Sequence, residues 1–358
     1  MAAKAAACRI SLIDKNFICL SSTWLEGPAL NFCDIRPIII ANCEREGALL
    51  LSIFSKFFLA IMLAGCVTGP ARREEVMKAE QLQNNIIVLE PKLSRFEGAG
   101  PFAVSSRPDR EFNIDLDQTL VVDHFAAKSV DSLPIVIMSH GNFSNKGAHR
   151  RQAKHLASWG FHVVTVESPN RDQWLENGTR LRKFVEMIHQ WPRILGNNAD
   201  RNRIIVVGHS FGGSAAILAI GSGAPVIGAV LLDPAVVHSS VTSAMKKSDV
   251  PVVLLGADRK IFTARGRSMF RKNIAGEVIE VTVPKAVHDD AQGPSVFAQA
   301  ALGVDPFTST TKQGLFRSTL TAAVIGIAAS GTLDFSVKIF ERAAKDGFLK
   351  DLTYRDKI

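Results

Sequence analysis

Short apolar runs recur along the middle of the chain and are separated by stretches of different periodicity. The runs lie at residues 133–139, 161–167, 204–208, 226–232, 250–255 and 277–283. Their length and β-branched composition predict buried strands. A helix is expected at 148–159, and apolar spacing at 179–190 predicts an amphipathic helix. This alternation predicts the α/β fold class, with a mostly parallel central sheet and helices on both faces.

Weaker patterns flank this series of strands and helices. Residues 98–104 and 118–124 predict early, partly antiparallel strands, with Arg107-Pro-Asp-Arg110 as the turn. Segments 320–330 and 333–344 predict helices. The first of them has about half the length that a membrane span needs, so we expect it to pack inside the domain. The connection from Asp233 to the strand at 250–255 is too short for a cap domain.

The first 66 residues differ in composition from the rest of the chain. All five cysteines lie there: Cys8, Cys19, Cys33, Cys43 and Cys66. A disulfide framework or a cysteine-ligated metal site is therefore excluded for the remainder. Residues 1–48 show no sustained period and are expected to be a non-structural extension. Residues 67–97 are expected to form a tether and first helix, and residues 98–358 the main domain.

Residues 49–66 have the layout of a secretory signal. Lys56 precedes an apolar run at 57–64, and small residues lead to Cys66. The sequence Leu63-Ala-Gly-Cys66 resembles the bacterial lipoprotein lipobox. That resemblance implies lipidation of Cys66 and a lipid-anchored protein of the bacterial cell envelope, facing the periplasm or the outside. The alternatives are a membrane anchor or a buried helix. Because the segment lies deep in the chain, we expect translation to start near Leu51.

Charge excludes one class of partner. The formal net charge of +8 is moderate and spread along the chain. No block of like charges is long enough to predict a nucleic-acid-binding tail. One basic stretch, at residues 259–272, has the helical spacing of a solvated face. The alternative is a surface that attracts anionic lipid or an acidic substrate.

The strongest chemical signal is Gly208-His-Ser-Phe-Gly212, between the strand at 204–208 and a small-residue helix. This G-x-S-x-G pattern in a strand-to-helix turn predicts a nucleophilic Ser210 in a strained backbone conformation. The helix that follows directs free N–H groups at the same place. The alternative is a glycine-rich turn that contains a serine by chance.

A serine nucleophile needs a base and an orienting carboxylate. Of the histidines that follow Ser210, His288 comes after the last predicted strand and is the expected base; His238 is not. Two aspartates could supply the carboxylate. Asp233 stands directly at a strand end before a proline, and we favour it. Asp258 ends the next strand beside two cations, and stays open as the alternative acid. No metal or cofactor is expected.

An oxyanion formed during acyl transfer needs two backbone donors. The N–H of Phe211, next to the nucleophile, is the first. The loop after the strand at 133–139 should supply the second, from Asn142 or alternatively Phe143. Gly141 would let that loop approach the substrate.

Together, His140-Gly141, Gly208-His-Ser-Phe-Gly-Gly213, a strand-end aspartate and a late histidine resemble the α/β-hydrolase superfamily. The segments Leu231-Leu-Asp-Pro234 and His288-Asp-Asp-Ala-Gln-Gly-Pro-Ser295 are most similar to chlorophyllase-like and platelet-activating-factor acetylhydrolase-like lipases and esterases. Such relatives often carry a cysteine beside the catalytic histidine, where this chain has Asp289. The resemblance implies a serine hydrolase of carboxylic esters, including lipid esters, and supports Asp233. The alternatives are an acyltransferase, a peptidase or a non-catalytic envelope lipoprotein.

Overall fold

A computed structural model describes residues 92–168, 173–259, 266–293 and 308–358. The chain divides into two units, Met1–Thr68 and Gly69–Ile358, and all described residues belong to the second. The predicted N-terminal extension, the signal segment with Cys66 and most of the tether lie outside the described residues.

The described strands form one nine-stranded sheet in the order β1-β2-β4-β3-β5-β6-β7-β8-β9. The strands from β3 to β8 pair in parallel, whereas β1, β2 and β9 run antiparallel at the edges. Their bounds are β1 Val104–Asp115, β2 Gln118–Ala127, β3 Leu133–Ser139, β4 His162–Val166, β5 Ala199–His209, β6 Gly228–Leu232, β7 Val252–Ala257, β8 Val278–Val283 and β9 Lys350–Arg355.

Helices cover both faces of this sheet. Those in the described part are α1 Arg150–Ser158, α2 Trp174–Gln190, α3 Phe211–Gly221, α4 Ser239–Met245, α5 Gly266–Asn273, α6 Thr310–Ser330 and α7 Asp334–Lys345. Helices α1, α6 and α7 pack on one face, and α2 to α5 pack on the other. The predicted fold class, mixed α/β with a mostly parallel sheet, is confirmed.

Alternate residues of each central strand enter two separate apolar cores. In β3, Val136 and Met138 join the core beneath α6, and Ile135 and Ile137 join the core beneath α2 and α3. All four side chains are fully buried. Burial on both faces explains why the sequence of these strands is continuously apolar rather than alternating.

The first hairpin differs from the prediction. Residues 98–103 are not a strand, and Arg107-Pro-Asp-Arg110 is not a turn. These four residues lie inside β1, where the register shifts between Arg107 and Arg110. Asp109 has a φ of 50° there, so the segment is a β-bulge. The chain reverses only after Asp115, and β2 begins at Gln118.

Two helices are longer than predicted, and one strand was missed. Helix α2 begins at Trp174 and α6 at Thr310. Most of α6 is buried in the core, as expected for a packing helix. Among the described helices, none combines the length and hydropathy of a membrane span. Strand β9, at residues 350–355, was not predicted because its sequence is mostly polar.

Candidate active site

The carboxyl ends of β3, β5, β6 and β8 bring the sequence-predicted residues to one edge of the sheet. Six non-glycine residues of the described chain have positive φ, and four of them follow these strands: Phe143, Ser210, Asp233 and Lys285. Left-handed backbone at such residues costs of order 1–3 kcal/mol each and collects at functional sites. The strained positions therefore mark the same sheet edge that the sequence motifs indicate.

Ser210 occupies the turn between β5 and α3, with φ 53° and ψ −119°. Its N–H donates to the Leu232 carbonyl at 3.0 Å, and its own carbonyl accepts from Ala235 N–H at 3.0 Å. These bonds fix the turn to the loop that carries Asp233. The turn also needs glycine, because a Cβ on Gly208 would lie 2.4 Å from the Gly212 carbonyl oxygen. Ser210 is 7% exposed.

The loop after β3 approaches Ser210 closely. A Cβ on Gly141 would lie 2.9 Å from the Ser210 Cβ, so only glycine allows this approach. In the same loop, the N–H of Phe143 donates to the Asn142 Oδ1 at 3.0 Å. That bond occupies the Phe143 donor and favours the Asn142 N–H for an oxyanion. As the first residue of α3, Phe211 has an N–H without an intrahelical acceptor.

Buried His140 holds this loop in place. Its Nδ1 lies 2.7 Å from the Gly141 carbonyl, and its Nε2 lies 3.0 Å from the Ser168 N–H. The carbonyl can only accept and the N–H can only donate, so His140 carries its proton on Nδ1. Glu167 contacts the same ring at 3.5 Å and accepts the Lys146 N–H at 3.0 Å. The loop is thus tied to the end of β4.

Although burial acts to raise it, the pKa of Glu167 is lowered by the neighbouring His140 ring and by the hydrogen bond from the Lys146 N–H. The carboxylate therefore stays ionised at neutral pH and continues to anchor the loop. His140 belongs to a motif that is visible in the sequence, but its contact with Glu167 was not predicted.

His288 and Asp233 form the central pair of the site. The His288 Nδ1 lies 2.7 Å from the Asp233 Oδ2, within hydrogen-bond reach. The second oxygen of Asp233, Oδ1, accepts the Ala257 N–H at 3.1 Å. Asp233 is fully buried, and His288 is half-buried. The carboxylate therefore fixes the ring and leaves Nε2 directed away from it.

Asp258, the alternative acid, has other partners. Its Oδ1 lies 2.6 Å from the Lys350 Nζ, and its Oδ2 accepts the Lys285 N–H at 2.8 Å. These contacts join β9 and the loop after β8 to the end of β7. The geometry thus brings Asp233, rather than Asp258, to the His288 ring nitrogen. His238 lies apart from this pair as the N-cap of α4.

His209, which precedes Ser210, packs directly against His288. The two ring centroids are 4.5 Å apart and the ring planes are inclined by 36°. The His209 Nε2 donates to the His288 carbonyl at 3.2 Å. Burial lowers the pKa of His209 well below 6.5, and the neighbouring His288 and His149 act in the same direction. His209 is therefore a neutral ring that supports the backbone of His288.

Apolar side chains are exposed on two elements at this edge of the sheet. Phe143 is 76% exposed, and Leu175 at the start of α2 is 45% exposed. The rings of Trp174 and Phe211 meet edge to face, with their centroids 5.1 Å apart. The residue after Ser210 is therefore packed against the start of α2, next to exposed apolar side chains.

One group of side chains near Ser210 could hold a metal ion. His209, His288 and Asp289 offer ligand atoms within 4.8 Å of one another. However, Nδ1 of His288 is already bonded to Asp233, and Nε2 of His209 to the His288 carbonyl. An ion would have to use the His288 Nε2, which is the atom that a general base needs. The arrangement fits acid–base chemistry better than metal binding.

Two residues that contact the His288–Asp233 pair were not predicted from the sequence. His209 stood inside the G-x-S-x-G motif, and its position next to Ser210 was the available signal. Arg267 belonged to the basic stretch interpreted as a solvated face, and that interpretation is wrong for this residue. Its side chain is buried, and its Nε lies 3.5 Å from the Asp233 Oδ1.

Comparison with known proteins agrees with this geometry. Residues 136–345 match the family model described as Alpha/beta hydrolase family. This range covers more than half of the chain and includes the second half of β3 and every strand from β4 to β8, with the residues at their carboxyl ends. No curated protein matches the chain. On its sheet, the Ser210 turn and this match, the chain belongs to the α/β-hydrolase family, and membership of this family points to a hydrolase.

Proposed function

We propose that the protein is a serine hydrolase of carboxylic esters that works through an acyl-enzyme on Ser210. The observation that carries the proposal is the 2.7 Å contact between His288 Nδ1 and Asp233 Oδ2 beside the strained Ser210 turn. A serine, an imidazole and a carboxylate in this relationship are the parts that acyl transfer requires.

The first half of the reaction follows from the direction of the His288 ring. Because Nδ1 donates to Asp233, the lone pair of the neutral ring is on Nε2. Nε2 takes the proton of the Ser210 hydroxyl while Oγ attacks the ester carbonyl. Asp233 stabilises the imidazolium that forms. The ring then returns the proton to the departing alcohol as the ester C–O bond breaks.

Backbone donors stabilise the negative charge on the former carbonyl oxygen. In this proposal they are the N–H groups of Phe211 and Asn142, because the Phe143 N–H is engaged by the Asn142 side chain. In the second half, His288 removes a proton from water, which attacks the acyl-enzyme. The products are a carboxylic acid and free Ser210. No step draws on a metal or a cofactor.

The surroundings of Ser210 support esters with an apolar acyl or alcohol group. Phe143, in the loop that approaches Ser210, is largely exposed and offers apolar area, as does Leu175 at the start of α2. Burying an apolar chain against such side chains yields roughly 0.8 kcal/mol per CH₂. Lipid esters are therefore included in the proposed substrate class.

The proposed location is the bacterial cell envelope, with a lipid anchor on Cys66. Its support is the sequence Leu63-Ala-Gly-Cys66 after an apolar run. Intact mass of the protein from a bacterial membrane fraction tests this directly. A diacylglycerol-modified chain that begins at Cys66 is expected, and Cys66→Ser should release the protein from membranes. A mature chain that retains residues 1–48 contradicts the proposal.

Active-site labelling tests the proposed chemistry. A fluorophosphonate probe should label the wild type, and Ser210→Ala should abolish labelling. Ser222→Ala, at the exposed far end of α3, is the matched control and should label normally. A panel of p-nitrophenyl esters of rising chain length then defines the substrate class. A wild type that neither takes the probe nor cleaves any ester would leave a non-catalytic binding role.

A further inference from the structure

A buried arginine stands behind the proposed catalytic acid. Arg267, on α5, is 5% exposed, although arginine is rarely buried without a partner. Its Nε lies 3.5 Å from the Asp233 Oδ1, the oxygen that does not face His288. The two terminal nitrogens have their own partners, with Nη1 donating to Thr282 Oγ1 at 3.1 Å and Nη2 to the Ala257 carbonyl at 3.0 Å. The guanidinium is therefore fixed.

The end of β7 is shaped around this side chain. A Cβ on Gly256 would lie 1.3 Å from the Arg267 Nη1 and 2.1 Å from its Cζ. No other residue at position 256 could leave the guanidinium where it is. Glu280 lies 3.8 Å from Arg267 and also contacts Arg271 at 3.3 Å. The arginine is thus held between two carboxylates, one of which is Asp233.

This placement changes the charge balance at the base. Asp233 is fully buried, and an isolated buried carboxylate tends to take up a proton. A cation near its Oδ1 favours the ionised form that His288 needs as a partner. The same cation repels the charge of a protonated His288 ring. The charged and titratable groups of the neighbouring elements are His149, His209, Asp258, Lys285, Asp289, Asp290, Glu280, Arg271 and Lys350.

Most of these other groups are fixed by partners of their own. Burial lowers the pKa of His149 to about 4, so that ring is uncharged at neutral pH. Asp258 is paired with Lys350. The side chain of Asp290 accepts the N–H groups of Val287 and Ser309. Among the described residues, Arg267 contacts Asp233 directly through its Nε.

We propose that Arg267 is a positioning residue of the site, which keeps Asp233 ionised and aligned with His288 and thereby sets the pH below which the base is lost. The proposal rests on the proposed function, since it assigns a role within the same acid–base pair. It goes beyond it because it assigns a role to a residue outside the proposed serine, histidine and aspartate.

Removal of the positive charge has a defined direction. Without Arg267, the Asp233–His288 pair binds a proton more tightly, because a repulsive cation is gone. The protonated, inactive form then persists to higher pH. The acid limb of kcat/KM for a p-nitrophenyl ester should move upward by about one pH unit in Arg267→Gln, which is the low end of the effect of a charge at this range.

Three further variants separate charge from packing. Arg267→Lys keeps the charge and should leave the acid limb close to that of the wild type. Gly256→Ala keeps the arginine but displaces its guanidinium, and should move the limb in the same direction as Arg267→Gln. Lys272→Gln removes an exposed cation from the same helix and should leave the acid limb of kcat/KM unchanged. Circular dichroism and thermal unfolding report whether each variant folds.

The decisive measurement does not depend on turnover. NMR titration of the His288 imidazole in the resting protein should show proton uptake at higher pH in Arg267→Gln than in the wild type. A loss of kcat/KM with both limbs and the NMR titration unchanged would overturn the proposal and leave Arg267 a packing residue. Failure of the proposed function has another signature: no probe labelling or ester cleavage by the wild type, whatever the His288 titration shows.

Discussion

The ring of His209 lies 4.5 Å from the ring of His288 and donates a hydrogen bond to the His288 carbonyl. The residue beside the proposed nucleophile thus supports the backbone of the proposed base. The two halves of the site, from β5 and from the loop after β8, are joined by this contact. Because His209 is buried and neutral, it can hold His288 without competing for the proton.

The first prediction concerns this contact. His209→Phe keeps a flat ring but removes the N–H that the His288 carbonyl accepts. An unsatisfied buried carbonyl costs about 1–3 kcal/mol, so kcat/KM should fall by about ten- to a hundredfold. Steady-state kinetics with a short p-nitrophenyl ester measures the loss. His238→Phe, at the exposed N-cap of α4, is the control and should retain activity. Wild-type kinetics in His209→Phe would contradict the assigned role.

The second prediction separates the two candidate acids. Asp233→Asn removes the charge that stabilises the protonated His288 ring and should lower kcat by about 10³-fold or more. Asp258→Asn removes only an ion pair with Lys350 and should lower kcat less than about threefold, because solvent screens such exposed pairs. Single-turnover kinetics on both variants gives the comparison. A larger loss at Asp258 would refute the assignment of Asp233.

The third prediction concerns the approach of the β3 loop to Ser210. Gly141→Ala would place a methyl group 2.9 Å from the Ser210 Cβ and 3.0 Å from the His209 Nδ1. The loop must move away, and kcat should fall by about 10²-fold, as for loss of one oxyanion donor.

A matched glycine substitution controls for the extra methyl group itself. Gly314→Ala lies within α6, where the nearest atom to a new Cβ is 4.0 Å away. It should raise the free energy of unfolding by about 0.5–1 kcal/mol and leave activity unchanged. Chemical denaturation of both variants provides the measurement. Equal activity in Gly141→Ala and Gly314→Ala would show that the loop does not position an oxyanion donor.

The fourth prediction is an acid-sensitive fold. Burial lowers the pKa of His124 to about 3, with His162 and Arg110 acting in the same direction, and burial lowers the pKa of His155 to about 4. Below about pH 6.5 these histidines bind protons in the unfolded chain but stay neutral in the folded protein. Stability therefore falls with pH from about 6.5 down to these folded-state values, by up to about 1.4 kcal/mol per pH unit for each histidine.

Urea denaturation at pH 7, 6, 5 and 4.5 measures this slope. His124→Asn should make the pH dependence of the free energy of unfolding shallower, because it removes one histidine whose pKa is lowered by folding. His238→Asn, at an exposed position, should leave the slope as it is. A free energy of unfolding that is constant from pH 7 to pH 4.5 would contradict the prediction.

The sequence predicted those parts of the site whose signal is local. Ser210 is flanked by its own strand, turn and helix, and the central strands are apolar because both of their faces are buried. Asp233 could be favoured because it follows a strand directly. The choice between Asp233 and Asp258 nevertheless depended on which carboxylate meets His288, and that contact joins distant parts of the chain.

Other features had no readable local signal. Arg267 has the spacing of a solvated helix face, and only the approach of Asp233 and Gly256 makes its burial possible. Strand β9 is mostly polar and forms because β8 is there to pair with it. Helix α2 extends back to Trp174 through Gly178, a residue that is unfavourable inside a helix. Gly178 packs closely against α3, since a Cβ there would lie 2.6 Å from the Leu218 Cβ.

The bulge in β1 has a consequence for association between molecules. β1 is an outer strand of the sheet, and its outward side would otherwise offer a row of backbone donors and acceptors to another chain. Pro108 lacks an N–H at this place, and the charged residues around it resist burial. The Asp109 N–H is also directed inward, since it donates to the Asp123 Oδ1, while the exposed Asp109 carboxylate pairs with Lys146. A second molecule therefore finds no continuous edge, and growth of the sheet from one copy into the next is blocked there.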